Sequence, residues 1–187
     1  MSDIEPLALS GVLLITPARH GDARGFFSET YSRRRLSEAG IDKPFVQDNH
    51  SYSSQKGTLR GLHFQRPPRM QDKLIRVTRG AIFDVAVDIR RDSSTYGQWL
   101  GVELSADNWR QLFVPAGFAH GFLTLSDDVE VLYKVTDDYT PETEGGIAWD
   151  DPQIGIAWPL PPDVILTNSR DAKWPKLMDV APLHFAT

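Results

Sequence analysis

Apolar and polar residues alternate along most of the chain, and this alternation predicts its secondary structure. The dominant period is two, and Gly, Pro, Asp and Ser interrupt it about every eight to twelve residues, as is typical of an all-β sandwich or barrel. The segments predicted as strands are 12–16, 47–53, 58–64, 73–78, 81–90, 99–104, 111–114, 121–124 and 129–136. We therefore expect an all-β fold with little helix.

Helical spacing is confined to one segment. Residues 30–40, TYSRRRLSEAG, are the helical candidate, and Gly40 is placed to cap its C-terminus. A turn at Gly80 predicts a hairpin between two of the strands. From Pro141 onward, prolines interrupt every possible strand while tryptophans supply apolar anchors, so we expect this tail to wrap the sheet as ordered loop.

Composition and charge narrow the class of protein. The chain has 187 residues, 41% of them hydrophobic, and no visible repeat or linker, so we expect one domain over residues 1–187. The net charge of −5 gives no general attraction to nucleic acid or anionic membranes, and neither is an expected partner. The chain has no cysteine, which excludes disulfides and thiolate chemistry. The first 17 residues lack a positive region, and their apolar run VLLI is too short for a signal or spanning helix, so we expect a cytoplasmic protein.

The stretch TLRGLHFQ, residues 58–65, places polar side chains in an apolar strand. Arg60 has the parity of Leu62 and Phe64, whereas His63 has the opposite parity. Both side chains can reach one cavity only if the backbone is distorted, and Gly61 is the residue that allows it. We therefore predict a bulge or twist at Gly61.

Further polar residues lie on apolar strand faces. Lys73 shares a face with Ile75 and Val77, and Tyr133 shares one with the valines of VEVLYKV. The turn in VPAGFAHGF delivers His120 to the start of an apolar strand. Taken singly, a strand histidine or a core tyrosine is an ordinary structural residue, but several buried polar groups on neighbouring strands are costly unless they are paired or used.

These residue types favour proton transfer over metal-dependent catalysis. A metal site needs three converging ligands, and the chain has no His-x-His pair, so we expect no metal. A neutral imidazole can accept a proton, a phenol can donate one, and an ammonium can stabilise an oxyanion, which together suit proton abstraction next to a carbonyl. Such chemistry requires no cofactor. Arg24 and Arg60 suit phosphate groups through bidentate hydrogen bonds.

Long motifs resemble the RmlC-type dTDP-4-dehydrorhamnose 3,5-epimerases of the cupin superfamily. They are DARGFFSETY, FVQDNHSYSSQKGTLRGLHFQ, DKLIRVTRGAIFDVAVDIR, GFAHGFLTLSD, YKVTDDYTPETEGGIAWDDP and NSRDAKWP. The resemblance implies a jelly-roll β-sandwich that forms a homodimer and uses no cofactor. It also implies dTDP-4-dehydro-6-deoxy-D-glucose as the substrate and dTDP-4-dehydro-β-L-rhamnose as the product.

The resemblance also assigns roles. It implies that His63 is the base, that Asp171 orients it, that Tyr133 is the acid and that Lys73 stabilises the enolate. Tyr139 would stack on the thymine ring. The implied substrate-binding residues are Arg24, Phe27, Glu29, Gln47, Asp48, Asn49, Arg60, His120, Tyr139, Glu144 and Arg170.

The chain departs from the resembled pattern at two places. Arg170 stands where a lysine is common, so a planar guanidinium replaces a compact ammonium. Gln65 stands where a metal-binding cupin has a second histidine. Two other functions remain open. One is an epimerase that inverts only C3 or only C5, and the other is a sugar-nucleotide binder without catalysis, which would not need His63, Asp171 and Tyr133 together.

Overall fold

A computed structural model describes residues 3–181 and 183 of the chain. Its strands are β1 (Asp3–Pro6), β2 (Leu13–Thr16), β3 (His20–Asp22), β4 (Gly25–Phe27), β5 (Gln47–Ser53), β6 (Leu59–Gln65), β7 (Lys73–Arg79), β8 (Ala81–Asp88), β9 (Trp99–Ser105), β10 (Gln111–Val114), β11 (Phe118–Thr124), β12 (Val129–Val135) and β13 (Glu144–Gly146). One α-helix, α1 (Arg33–Glu38), follows β4. No helix in the described part of the chain is long and apolar enough to cross a membrane.

Two antiparallel sheets form the body of the fold. The six-stranded sheet has the order β1-β2-β10-β7-β12-β5, and the five-stranded sheet has the order β13-β6-β11-β8-β9. Strands β3 and β4 form a separate hairpin. Every expected strand is present, and the predicted β-sandwich is confirmed. The hairpin predicted at Gly80 is wrong, because the two strands that this turn joins, β7 and β8, belong to different sheets.

The main core lies between the two sheets. Ile75 and Val77 of the six-stranded sheet pack in one buried cluster with Ile82, Ala86 and Phe122 of the five-stranded sheet. Full burial of an aliphatic side chain of this size contributes about 1.5–3 kcal/mol. The inner faces of both sheets are therefore apolar, except where the catalytic candidates interrupt them.

Two further clusters cover the outer faces. Helix α1 packs Leu36 against Leu74 and Phe113 on the outside of the six-stranded sheet. The C-terminal tail packs Ile154 and Leu177 against the outside of the five-stranded sheet. The tail wraps the sheet as expected, but it also contains β13 and short 3₁₀ turns at Pro141–Thr143, Pro162–Val164, Asp171–Lys173 and Leu177–Asp179.

Candidate active site

A distortion in β6 brings two polar side chains to one cavity. His63 pairs with His120 of β11, whereas Arg60 pairs with Phe122, so two residues of β6 lie opposite one residue of β11. Gly61 has φ +135°, and a Cβ there would lie 2.6 Å from the Cα of Gly121. Glycine is therefore required at this position, and the predicted distortion is confirmed.

The cavity that results has a volume of about 330 Å³, which suits a small-molecule ligand. Its lining residues come from β5, β6, β7, β11 and β12 of the two sheets, and the tail contributes Asn168, Arg170 and Asp171. The expected site residues that line it are His63, Tyr133, Asp171, Lys73, Gln47, Asn49, Arg60, His120, Tyr139, Glu144 and Arg170.

Four expected residues do not line this cavity. Asp48 lies between Gln47 and Asn49 on β5, so strand alternation turns its side chain to the outer face, where it pairs with Lys134 at 2.6 Å. The prediction that Gln47, Asp48 and Asn49 all bind the substrate disregarded this alternation, and it is wrong for Asp48 in this cavity.

The other three residues belong to the exposed β3–β4 region. Arg24 is 90% exposed and pairs with Asp22 at the hairpin turn. Phe27 is 71% exposed, and Glu29 pairs with Arg35 at 3.0 Å. These side chains lie on the surface of their own chain, outside its cavity.

His63 is held by a buried carboxylate. Its Nε2 donates to Oδ1 of Asp171 at 2.8 Å, which leaves the lone pair of Nδ1 available as a base. Oδ2 of Asp171 accepts the backbone N–H of Gly61 at 3.1 Å, so the distorted residue also anchors the carboxylate. Asn168 accepts the N–H of Asp171 at 2.7 Å and fixes the 3₁₀ turn that presents it.

Asp171 stays ionised despite its position. Burial opposes the charge, but the hydrogen bond and charge of His63, the N–H of Gly61 and the charge of Arg170 outweigh it and lower the pKa of Asp171. A carboxylate in this state favours the Nε2–H tautomer of His63. The pair is thus arranged as an oriented general base.

A second histidine has a similar partner. His120 Nε2 donates to Oδ1 of Asp84 at 2.8 Å, and both residues are buried. Oδ2 of Asp84 has no hydrogen-bond partner among the residues that the structure describes. Sequence reasoning missed Asp84, although its parity with Ile82 and Ala86 in β8 placed a carboxylate on the inner face.

Lys73 and Tyr133 enter the cavity from the six-stranded sheet. Desolvation lowers the pKa of Lys73 to about 8, against the opposing charges of Asp84 and Glu144. Desolvation also raises the pKa of Tyr133, against the charge of Arg60. Near neutral pH the cavity therefore holds an ammonium and a protonated phenol.

The mouth of the cavity carries a chain of polar contacts. The Tyr139 hydroxyl donates to Glu144 Oε2 at 3.0 Å, and Arg170 Nη1 donates to both carboxylate oxygens of Glu144 at 3.1 and 3.0 Å. Arg170 Nε also donates to Asp171 Oδ1 at 3.4 Å. Arg170 therefore connects the rim with the carboxylate behind His63.

Six other residues line the cavity that the sequence did not predict as substrate-binding or catalytic residues. They are Ser51, Phe64, Gln65, Gln71, Phe122 and Asn168. Ser51 could have been found from its parity with Gln47 and Asn49, whereas Gln71 and Asn168 lie outside regular strands and carry no periodic signal. Within residues 3–181 and 183, no group of three or more His, Cys, Asp or Glu side chains is arranged to hold a metal ion.

Comparisons with known proteins place these features in a family. The sequence profile of the dTDP-4-dehydrorhamnose 3,5-epimerases matches residues 6–179. The enzyme of that name from Salmonella typhimurium is 52% identical over 179 residues, covering 94% of this chain and 95% of its own. The one from Methanothermobacter thermautotrophicus is 51% identical over 173 residues, covering 92% of each chain.

Solved structures agree with the sequence comparisons. The crystal structure of an epimerase from Legionella pneumophila in complex with dTDP-4-keto-L-rhamnose is 43% identical, with a TM-score of 0.95 and full coverage of both chains. A 3′-monoepimerase from Streptomyces bikiniensis in complex with dTDP-quinovose is 35% identical, with a TM-score of 0.86, covering 93% of this chain and 87% of its own. By sequence and by fold, the chain belongs to the dTDP-4-dehydrorhamnose 3,5-epimerase family.

Proposed function

We propose that this protein, as one domain over residues 1–187, converts dTDP-4-dehydro-6-deoxy-D-glucose to dTDP-4-dehydro-β-L-rhamnose by inverting C3 and C5 without a cofactor. The observation that carries this proposal is the meeting in one cavity of an oriented base, a phenol and a partly desolvated ammonium. They are contributed by the His63–Asp171 pair, Tyr133 and Lys73.

The proposed reaction begins with proton abstraction. His63 Nδ1 removes the proton from a carbon next to the C4 carbonyl, and the bonding electrons move to form an enolate. Lys73 places a positive charge at the C4 oxygen, where the negative charge of the enolate develops. Asp171 stabilises the imidazolium that forms on His63.

Inversion requires reprotonation from the opposite face of the sugar ring. His63 belongs to β6 in the five-stranded sheet, whereas Tyr133 belongs to β12 in the facing six-stranded sheet. A ring bound between the sheets presents one face to each residue. Tyr133 donates its proton to the carbon. His63 then releases its proton to solvent and solvent reprotonates the Tyr133 phenolate, and the same cycle at the second carbon completes the reaction.

Nucleotide binding belongs to the same proposal. Arg60 offers its guanidinium to the phosphates, and Gln47, Asn49 and Tyr139 lie toward the mouth of the cavity. In a homodimer, the exposed β3–β4 hairpin of one copy can reach the cavity of the other. This arrangement accounts for the expected substrate-binding residues that do not line the cavity of their own chain. In this arrangement Arg24, Phe27 and Glu29 bind the substrate of the partner.

Subunit complementation tests the proposed dimer. In a heterodimer of the His63→Ala and Arg24→Ala variants, one site carries both changes and the other carries neither. We expect each variant alone to be impaired and an equilibrated mixture to regain activity as heterodimers form, with the mass measured by light scattering. A mixture no more active than the mean of its components would refute sharing of the hairpin.

The proposed activity is tested by incubating the purified protein with dTDP-4-dehydro-6-deoxy-D-glucose and following the sugar by NMR. We expect the rhamno-configured product with wild type and none with His63→Ala. Wild type that binds the nucleotide sugar without changing it would refute the proposal. The expected cytoplasmic location is part of the proposal, and cell fractionation checks it.

A single-centre epimerase is the second candidate, and the 35% identity to a 3′-monoepimerase is the observation in its favour. The higher identities, 51% and 52%, are to 3,5-epimerases, which favours inversion at both carbons. Counting the carbons that exchange their proton with solvent distinguishes the two functions.

A further inference from the structure

The segment that carries Tyr139 is held by side-chain amides. Residues 137–140 follow β12, and each of these four residues has a backbone group bonded to a glutamine side chain. Gln71 Nε2 donates to Asp137 O at 2.7 Å, Gln65 Nε2 donates to Asp138 O at 3.2 Å, Gln47 Oε1 accepts from Tyr139 N at 3.0 Å, and Gln65 Oε1 accepts from Thr140 N at 2.7 Å. We call Gln47, Gln65 and Gln71 the glutamine clamp.

An arginine reinforces the clamp from outside. Arg69 pairs with the carboxylate of Asp137 at 3.0 Å and donates to the hydroxyl of Thr140 at 3.2 Å. Its own carbonyl accepts from Gln65 Nε2 at 2.7 Å. Gln65 therefore connects the turn around Arg69 to the segment that carries Tyr139, and with its three hydrogen bonds it is the centre of the network.

The position of the clamp suggests more than local stability. All three glutamines line the cavity, and Gln65 is buried at 6% exposure. Surface segments of this kind ordinarily satisfy their backbone groups with water. Here the protein satisfies them with three amides that come from β5, β6 and the turn before β7, which fixes the segment relative to both sheets.

The glutamine clamp fixes the backbone of Tyr139, whose aromatic ring lies at the mouth of the cavity. The side chain of Tyr139 is half exposed at the mouth, and its hydroxyl is bonded to Glu144. A ring whose backbone and hydroxyl are both fixed loses little conformational freedom when a planar ligand stacks on it. A fixed ring at a cavity mouth suits recognition of a base that is attached to the phosphates bound deeper inside.

We propose that Gln65 and Gln71 are positioning residues that hold Tyr139 in place for the nucleobase and so set specificity for a nucleoside diphosphate sugar. This inference rests on the proposed function, and in particular on stacking of the base by Tyr139. Neither glutamine takes part in the proton transfers. Their loss therefore weakens binding of the base and leaves the rate of the chemical step nearly unchanged.

Gln65→Met tests the inference, because methionine is similar in length and uncharged but forms none of the three hydrogen bonds. We expect KM for the sugar nucleotide and Kd for dTDP to rise about tenfold, as loss of ordered base stacking predicts, with kcat changed less than about twofold. Inorganic pyrophosphate, which has no base, should bind as in wild type. Gln153→Met, an exposed glutamine outside the cavity, is the matched control.

A double-mutant cycle separates positioning from general loosening of the fold. In a Tyr139→Ala background, Gln65→Met should cost little further affinity for dTDP, because the ring on which it acts is gone. Equal weakening of dTDP and pyrophosphate, a fall in kcat without a change in KM, or additive losses in the double variant would each overturn the inference.

Two measurements keep the test decisive. If Gln65→Met melts far below wild type, Gln71→Met, which removes the one bond to Asp137, replaces it and should give a smaller rise in Kd for dTDP alone. Wild type without epimerase activity would defeat the proposed function, whereas the contrast between dTDP and pyrophosphate is measured by calorimetry and does not depend on turnover.

Discussion

Raising the pH through the pKa of Lys73 removes the ammonium that the proposed mechanism places at the C4 oxygen. The pKa is lowered to about 8, mainly by desolvation, so the ammonium is the main form below pH 8 and the neutral amine above it. Because the charged form stabilises the enolate, kcat/KM should be full below this pKa and lost above it. The ammonium fraction falls from about 0.9 at pH 7 to about 0.1 at pH 9, which predicts a roughly tenfold loss of kcat/KM.

A single substitution should move this limb of the profile. The charge of Asp84 raises the pKa of Lys73, so Asp84→Asn should shift the limb to lower pH while the amide oxygen still accepts from His120. The assay is initial-rate kcat/KM from pH 6 to pH 10 at constant ionic strength, with the exposed Asp163→Asn as the control. A flat wild-type profile up to pH 9, or an unmoved limb in Asp84→Asn, would refute the role given to Lys73.

Three other substitutions test the base, the acid and the backbone constraint at Gly61. Asp171→Asn should reduce kcat by about 10²–10⁴, because an amide N–H that donates to Nε2 favours the Nδ1–H tautomer of His63, which cannot act as the base. A kcat near that of wild type would contradict this. Tyr133→Phe should reduce turnover by about 10²–10⁴ with little change in melting temperature, since the ring that packs against the core is kept; wild-type turnover would exclude it as the acid. Gly61→Ala should cost about 2–4 kcal/mol, because the new Cβ meets the backbone of Gly121 at a positive φ, and melting lowered by less than roughly 5 °C would argue against that constraint.

Alternation in the sequence marked strands such as β5 and β12, whose two faces differ in exposure. Alternation was less informative where this contrast is missing. Every residue of β11 is buried, so no alternation marks its true start at Phe118, and the expected strand began at residue 121. The short strands β3 and β4 are exposed throughout, and β13 reads EGG because the rings of Phe64 and Trp174 occupy the space of side chains at Gly145 and Gly146.

The bounds of helix α1 could be predicted only in part. The expected segment of residues 30–40 contains α1, which is shorter at Arg33–Glu38. Gly40 has φ +83°, the left-handed conformation that its predicted capping role required. Local sequence thus predicted the end of the helix better than its start, because Ser32 forms no side-chain cap and the first turn carries no acidic residue.

The candidate site could be predicted as far as strand parity extends. The conflict between Arg60 and His63 pointed to Gly61, and the alternation on β7 and β12 pointed to Lys73 and Tyr133. Strand parity could not predict contacts between segments that are distant in sequence. Nothing local indicates that Gln65 and Gln71 bind the backbone of residues 137–140, since these pairings arise only when β6, β7 and β12 come together.

In the proposed reaction, one cavity removes and replaces protons at both C3 and C5 of a 4-keto sugar nucleotide. The most direct test is to incubate wild type with dTDP-4-dehydro-6-deoxy-D-glucose in D₂O and to follow each carbon by NMR. We expect deuterium at both C3 and C5 of the rhamno-configured product, at rates comparable with turnover. Deuterium at only one of these carbons, or at neither, would contradict it.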